Sequence, residues 1–261
     1  MLKKFCREVR VGEILPVGQS LRTGEFFELR LESPGWAGWR PGQFVMLRPS
    51  DWDHSLLWGR PFSICRGDAG PDGQFSVFFQ KVGRGTARMA HLRPGDKVTV
   101  WGPLGNSFAV EEKTPTLLLA GGVGLAPFVG YAEQHPAPEN LELVFAHRVP
   151  LGCYPYDEMG ALRRSCLEER TSADLPRIIE AVRAKVEEYR DGLILCCGPT
   201  PFMRTVQQAA LEFGARAQVS LENRMACGVG ACLGCVCKDS GGHHVQTCTR
   251  GPVFWVKDVT L

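Results

Sequence analysis

Short runs in which apolar and polar positions alternate fill the first hundred residues. GEFFELRLESP (24–34), GQFVMLRP (42–49), RPFSICR (60–66), GQFSVFFQKVG (73–83) and GDKVTVWGP (95–103) are rich in Phe and Val and separated by Gly, Pro and Asp. A period of two puts successive side chains on opposite faces of a strand, and the Gly/Pro/Asp clusters mark turns. This stretch predicts a small antiparallel barrel. The pattern changes at EEKTPT (111–116): TPTLLLAGG (114–122), LELVFAH (141–147) and LILCCGP (193–199) are continuous apolar runs, as for strands buried on both faces. APFVGYAEQH (126–135) predicts a helix after the first of them, and LPRIIEAVRAKVEEYRDG (175–192) puts Leu175, Ile178, Ile179, Val182, Val186 and Tyr189 on one helical face. TPFMRTVQQAALEFG (200–214) reads as a helix capped by Thr200, with Pro201 at its first position and Gly214 as its stop.

Strands alternating with helices predict a parallel sheet covered on both sides, with AQVSLE (217–222) as the last strand. From about residue 223 the periodicity stops, leaving a cysteine-rich loop and the apolar tail GPVFWV (251–256). The expected fold class is multidomain β plus α/β: an antiparallel β-barrel over 1–110, a parallel α/β domain over 111–222 and a small module over 223–261.

Length and composition fit that organisation. The 261 residues are 44% hydrophobic and 22% charged, ordinary values for a soluble globular protein. Thirty Lys and Arg against 28 Asp and Glu leave a formal charge of +2, so nothing points to nucleic acid or an anionic membrane as partner. The N-terminus, MLKKFCREVRVGEI, lacks the apolar run of a secretory signal, and no stretch approaches the roughly 18 apolar residues that cross a bilayer. A cytoplasmic location is expected.

Cysteine usage carries the chemistry. Six of the eleven cysteines are scattered and read as buried packing thiols, but five fall within Cys227–Cys248. Cys227, Cys232, Cys235 and Cys248 follow C-x4-C-x2-C-x12-C, the spacing of plant-type [2Fe–2S] ferredoxins. Three thiolates from one tight turn and a fourth from elsewhere can converge on two irons. Gly228, Gly230, Ala231 and Gly234 leave room for backbone N–H groups to approach the sulfurs. Structural zinc also takes four thiolates, though usually from paired C-x2-C knuckles; disulfides suit an oxidising compartment. Cys237 stands outside the spacing and reads as packing, and His243 and His244 read as turn residues.

Two glycine turns follow the buried strands. Gly121, Gly122 and Gly124 lie between a strand and a helix, and Cys197, Gly198 and Pro199 repeat the device. Such turns let a pyrophosphate meet helix N-terminal N–H groups; close packing explains them equally well. In the β region RPFSI (60–64) sets a guanidinium beside a hydroxyl, a pairing suited to phosphate, while VGRGT (82–86) and GPLGNSF (102–108) add glycine turns with N–H groups to offer.

In this order (RPFSI, FFQKVGRGT, GPLGNSF, LLLAGGVGLAP, CGPTPFM) the motifs resemble the ferredoxin–NADP reductase superfamily. With MACGVGACLGCVCK and CTRGPVF at the end, the chain is similar to the electron-transfer subunits of NAD-dependent (type B) dihydroorotate dehydrogenases. The resemblance implies FAD contacts at Arg60, Pro61, Phe62, Ser63, Phe78, Phe79, Gln80, Gly85 and Thr86. It also implies a [2Fe–2S] cluster on Cys227, Cys232, Cys235 and Cys248, with NAD as electron acceptor at the two glycine turns. The implied partner is an FMN-containing catalytic subunit, in a heterotetramer of two plus two, acting in pyrimidine biosynthesis. The same layout suits a subunit of another NAD(P)H-linked complex, of ferredoxin:NADP transhydrogenase or sulfhydrogenase type, or a zinc-stabilised flavin-binding regulatory module. Relatives carry a strand and an acidic-glycine turn of DDGS type where this chain has LGCYPYDEMGALRRSCLEERTSAD (151–174). A missing or shortened strand, and a weaker wall for the nicotinamide nucleotide, are expected there.

Overall fold

The computed structural model describes residues 5–18, 25–160 and 162–261; Lys3 and Lys4 and the turn residue Gly24 of the sequence reading lie outside them. The first strands are β1 (Phe5–Val17), β2 (Phe26–Glu32), β3 (Phe44–Pro49), β4 (Arg60–Ser63), β5 (Arg66–Gly67) and β6 (Gln74–Gln80). After the short helix α1 (Arg84–Met89) comes β7 (Lys97–Leu104). Together they form one antiparallel sheet in the order β4-β3-β7-β1-β2-β6-β5. The sheet curls toward closure, bringing Phe62 of β4 and Phe79 of β6 to a ring-centroid distance of 5.7 Å. Five of these strands follow the alternating runs of the sequence. β1 does not, because only Val9 and Val11 of its 13 residues are buried and a bulge interrupts its register between Val11 and Glu13.

The second half is built from β8 (Thr116–Gly121), α2 (Ala126–Gln134), β9 (Leu141–His147), β10 (Arg163–Glu168), α3 (Leu175–Glu188), β11 (Leu193–Cys197), α4 (Thr200–Phe213) and β12 (Ala217–Ser220). Its parallel strands lie in the order β10-β9-β8-β11-β12. The chain enters at β8, builds outward to β10 and returns across β8 to β11, so the topological switch point falls between β8 and β11. The expected loss of a strand after β9 is corrected: β10 pairs with β9 along all six residues. Its sequence, RRSCLE, hides because an edge strand facing water needs few apolar residues. Arg163 anchors it, donating to the Tyr189 hydroxyl at 3.0 Å and facing Glu142 of β9 at 3.6 Å.

Three details depart from the pattern reading. α3 buries Ile178, Val182, Val186 and Tyr189, but Leu175 and Ile179 are 37% and 42% exposed on its flank. Pro199, not Thr200, is the N-cap of α4, and Thr200 is already helical; Gly214 stops the helix in the left-handed region at φ 69°. Of the scattered cysteines, Cys6 and Cys166 are exposed, while Cys65, Cys153, Cys196 and Cys197 are buried as expected.

The remaining chain forms β13 (Val236–Asp239), β14 (His244–Gln246), the single turn α5 (Thr247–Arg250), β15 (Val253–Trp255) and β16 (Val259–Thr260). β14, β13 and β16 make a small sheet, whereas β15 pairs antiparallel with β12 as the sixth strand of the large one. The tail thus returns to the α/β sheet. Phe254 and Trp255 pack against the cores on opposite sides of it, as neighbours on a strand must. Among the described residues no helix is long and apolar enough to cross a membrane.

One apolar cluster runs without a break from the barrel into the sheet, joining Phe26, Phe78 and Phe108 to Leu118, Phe128, Tyr131 and Phe145. α2 lies within it, which is why the whole of Ala126–Tyr131 is buried and the helix turns polar only at its exposed end, Glu133 and Gln134. Around that core Arg66 of β5 meets Glu133 of α2 at 2.6 Å and Glu158 at 2.5 Å. The closest approach is at Gly130, where a Cβ would stand 2.3 Å from Cη2 of Trp39 and 2.7 Å from the Cys65 carbonyl. Gly130→Ala is therefore expected to force the barrel and α2 apart and to destabilise the protein by about 1–3 kcal/mol, seen as a lowered thermal midpoint. Gly12→Ala is the control: on exposed β1 its Cβ would meet nothing closer than 3.6 Å, and it should stay within about 0.5 kcal/mol of the parent.

Candidate functional site

The seam between barrel and sheet holds a cavity of about 750 Å³, within the size range of cofactor sites. One wall is Arg60, Pro61, Phe62 and Ser63 of β4, with Phe78, Phe79 and Gln80 of β6 and Thr86 of α1; Cys197 lies across from them at the end of β11. Nine of the site residues expected from the sequence thus border one space. Phe78 and Phe79 point to opposite faces of β6, the first into the core shared with the sheet and the second into the barrel. The sequence reading missed Phe44, Val82, Val123, Ala126, Pro252 and the whole segment Ser220–Met225. A signal for that segment existed: it must carry the chain from the end of β12 directly into the cysteine loop.

Arg60 is held in place. Its Nη1 donates to the carbonyls of Trp58 (2.8 Å) and Gly59 (3.2 Å), and its guanidinium lies 5.6 Å from the Trp52 ring. Gly85 lets α1 approach it, since a Cβ there would come within 3.1 Å of Arg60 Nε. Two expected sets of N–H donors are already engaged. In VGRGT the Val82 and Gly83 amides donate to Thr86 Oγ1 at 2.9 and 3.1 Å. In GPLGNSF the Asn106 amide donates to the Gly251 carbonyl. The Asn106 side chain donates to the Val253 carbonyl at 2.6 Å and accepts from the Val253 amide at 2.9 Å.

The two glycine turns pack on each other. A Cβ at Gly124 would lie 2.3 Å from the Cys197 carbonyl; one at Gly121 would meet Pro199 at 2.9 Å, and one at Gly198 would meet Gly121 at 3.0 Å. Gly122, at φ 54°, faces open space and can offer its backbone to a ligand. Both turns lie at the C-terminal ends of β8 and β11, where ligands of parallel sheets bind.

The cysteine loop lies against the barrel on the far side of Phe44. Cys227 Sγ accepts from the amides of Val229 and Cys232, and Cys232 Sγ from the amide of Gly234, each at 3.4 Å. Burial pulls the Cys227 thiol up, but the amides of Val229, Cys232 and Ala231 and the Cys232 side chain outweigh it and bring it down to about 7. Cys248 is pushed up to about 12 by burial and by its neighbour Cys235. The thiols associate two by two, Cys227 with Cys232 and Cys235 with Cys248, and Cys227 also acts on Cys248. Among the described residues no three His, Cys, Asp or Glu side chains group to hold one metal ion. Two pairs with amide donors at the sulfurs suit two irons bridged by sulfide better than one zinc. Cys237 packs half-buried against the second core, with its Sγ 3.7 Å from the Val245 carbonyl. His243 faces Asp239 across its turn at 3.4 Å, and His244 begins β14.

Cavity and cysteine site share a wall. Phe44 and Met225 both line the cavity and pack in one small cluster with Met46, Leu104, Cys235 and Cys248. Trp101 closes the arrangement from β7, its Nε1 donating to the Cys227 carbonyl at 2.9 Å.

Comparison with known proteins agrees with this anatomy. Residues 222–260 match the family model for the iron–sulfur cluster binding domain of dihydroorotate dehydrogenase B. The chain is 30% identical over 242 residues to the dihydroorotate dehydrogenase B (NAD(+)) electron transfer subunit of Caldanaerobacter subterraneus subsp. tengcongensis, covering 90% of this chain and 92% of that one. It is 33% identical to the subunit of the same name from Clostridium acetobutylicum, covering 85% and 87%. Among solved structures, a chain of an NADH-dependent reduced ferredoxin–NADP oxidoreductase superposes with a TM-score of 0.79 at 26% identity, over 97% of this chain and 89% of that one. The ferredoxin–NADP+ reductase of Plasmodium falciparum, 12% identical with a TM-score of 0.61, shares the fold. This chain belongs to the family of electron transfer subunits of NAD(+)-dependent dihydroorotate dehydrogenase B.

Proposed function

We propose that the chain carries electrons from the FMN of a dihydroorotate-oxidising catalytic subunit through a [2Fe–2S] cluster and FAD to NAD+, within a cytoplasmic heterotetramer of two plus two. The observation that carries this reading is the shared wall: Phe44 and Met225 line a cofactor-sized cavity and pack in the same cluster as Cys235 and Cys248, one of the two thiol pairs. FAD supplies the exchange between one-electron and two-electron chemistry that a cluster and a nicotinamide require of each other. The chain's own task is to bind, orient and exclude water. Arg60 and Ser63 would hold the flavin through its phosphates and hydroxyls, with Pro61, Phe62, Phe78, Phe79, Gln80 and Thr86 shaping the cavity and Gly85 giving Arg60 its place. Gly122 and the N-terminus of the following turn would meet the NAD pyrophosphate, while Gly121, Gly124, Gly198 and Pro199 keep the crevice tight and Cys197 borders the flavin side. Cys227, Cys232, Cys235 and Cys248 would ligate the cluster.

A second reading, a FAD/[2Fe–2S] subunit of another NAD(P)H-linked complex, is favoured by the near-complete superposition on a chain of the ferredoxin–NADP oxidoreductase structure. The assay that separates the two uses the matched catalytic subunit. Dihydroorotate-dependent NADH formation is expected; its absence, with ferredoxin-linked NADP+ turnover instead, would establish the second reading.

Two binding tests follow from the residues. Arg60→Ala removes a charge-assisted contact and should weaken FAD binding to the apoprotein by about 1.5–3 kcal/mol, roughly 10- to 150-fold by titration calorimetry. Cys235→Ser should abolish the broad visible absorbance and acid-labile sulfide of the cluster while flavin bands persist, and Cys237→Ser should keep both. Zinc without sulfide in the wild-type protein would refute the cluster.

A further inference from the structure

NAD+ and NADP+ differ only at the 2′-oxygen of the adenosine ribose, a hydroxyl in one and a phosphate in the other. The side chains beside that oxygen decide which nucleotide is used. Strand register shows which side chains those are. Gly121 of β8 pairs with Ala146 of β9, and Ala146 with Leu167 of β10. One residue further on, His147 pairs with Glu168, level with the free backbone of Gly122. Two strand spacings, about 10 Å, separate Gly122 from Glu168. A ribose attached to a pyrophosphate at Gly122 covers that span.

Paired residues of neighbouring strands share a face. His147 continues the side of β9 that carries Leu143 and Phe145, and its ring stacks on Phe145 at 5.6 Å. Cys197 belongs to the same core and borders the cavity, so Glu168 stands on the cavity's side of the sheet. His147 is only 6% exposed, and its Nδ1 is spent on the Val149 carbonyl at 2.9 Å. Its Nε2 has no hydrogen-bond partner among the described residues. A buried ring nitrogen left unpaired beside Glu168 marks this row as one that a polar ligand completes.

Beyond the row, charges stand in couples. Arg148 meets Glu169 at 2.8 Å, and Arg170 meets Glu168 at 2.8 Å through both Nε and Nη2. Arg177 donates to the Glu168 carbonyl at 3.2 Å and faces Asp174 at 3.9 Å. The Asp174 carboxylate also takes the backbone amides of Arg170 and Thr171, at 3.1 and 2.9 Å. Guanidinium groups and free amides are what a phosphate seeks, and here acids hold them. Glu169 is the anchored member of its pair: its side chain is 18% exposed against 73% for Arg148, and its amide donates to the His147 carbonyl.

A ribose diol needs an acceptor and finds one in Glu168. A 2′-phosphate would bring its charge against these carboxylates and would have to displace one of them from its arginine. We propose that Glu168 and Glu169 are the specificity residues of the nucleotide site, admitting NAD(H) and refusing NADP(H) by occupying Arg170 and Arg148. The inference rests on the NAD reading above.

The test follows anaerobic bleaching of the flavin in the full-length holoprotein by NADH and by NADPH. The wild-type chain is expected to favour NADH, and the double substitution Glu168→Gln, Glu169→Gln to shift the ratio toward NADPH at least about tenfold. Added salt, which screens the freed arginines, should undo that gain. A ratio unchanged in the variant, or a wild-type chain that prefers NADPH, overturns the proposal and leaves the nucleotide site standing. Should the variant fail to fold, competition against NADH on the wild-type protein decides. ADP-ribose is expected to compete at least about tenfold better than its 2′-phosphate, and equal competition overturns the proposal. A wild-type flavin that neither nucleotide reduces overturns the NAD reading and this inference with it.

Discussion

A relay of cofactors works only if its stations are held at fixed separations, and here that constraint falls on three side-chain amides. Asn106, in the loop that ends the barrel, both donates to and accepts from the backbone of Val253. Gln207 of α4 donates to the carbonyls of Val256 and Val259, and Gln218 of β12 accepts from the amide of Ala109. An amide side chain offers donor and acceptor together, so it can satisfy an otherwise orphaned strand edge without introducing charge. The first two bind the tail after the cysteine loop to the barrel's exit loop and to α4, and the third ties that exit loop to β12. The loop leaves the large sheet at β12 and returns to it at β15, two strands that are hydrogen-bonded neighbours. Its two ends are pinned side by side, and the thiols between them cannot drift from Phe44 and Met225.

The same anatomy explains why the seam is apolar and the rim is not. Residues between cavity and thiols exclude water from the space that electrons cross, and Phe44, Met46 and Leu104 are almost wholly buried. Ion pairs such as those of Arg66 lie around the edge, where partial exposure lowers both their desolvation penalty and their strength. The halves are held together by packing and oriented by charge.

Much of this was legible in the sequence, for identifiable reasons. Strands buried on one or both faces print their period, so LELVFAH spans the observed β9 residue for residue. The cysteine spacing is legible because ligand geometry constrains it directly. What stayed hidden answers to tertiary context instead. β1 and β10 face water along much of their length and need little apolar sequence. The glycines of the two nucleotide turns could serve a ligand or each other, and only the distance from Gly124 to Cys197 shows that packing claims most of them. Asn106 sits in a motif expected to face a cofactor, yet it faces the tail; a hydrogen-bonding side chain does not name its partner.

The segment Ser220–Met225 gains most from the structure. The pattern reading ran its last strand to Glu222, but β12 ends at Ser220 and residues 221–225 have no regular secondary structure. In space it borders the cavity and touches Cys235 and Cys248 through Met225. The covalent path from β12 to Cys227 thus also forms part of the wall between the cavity and the thiols. Six residues at one junction therefore border the cavity and, through Met225, the thiols Cys235 and Cys248. Insertion or deletion here would change the separation of the sites even with every ligand intact.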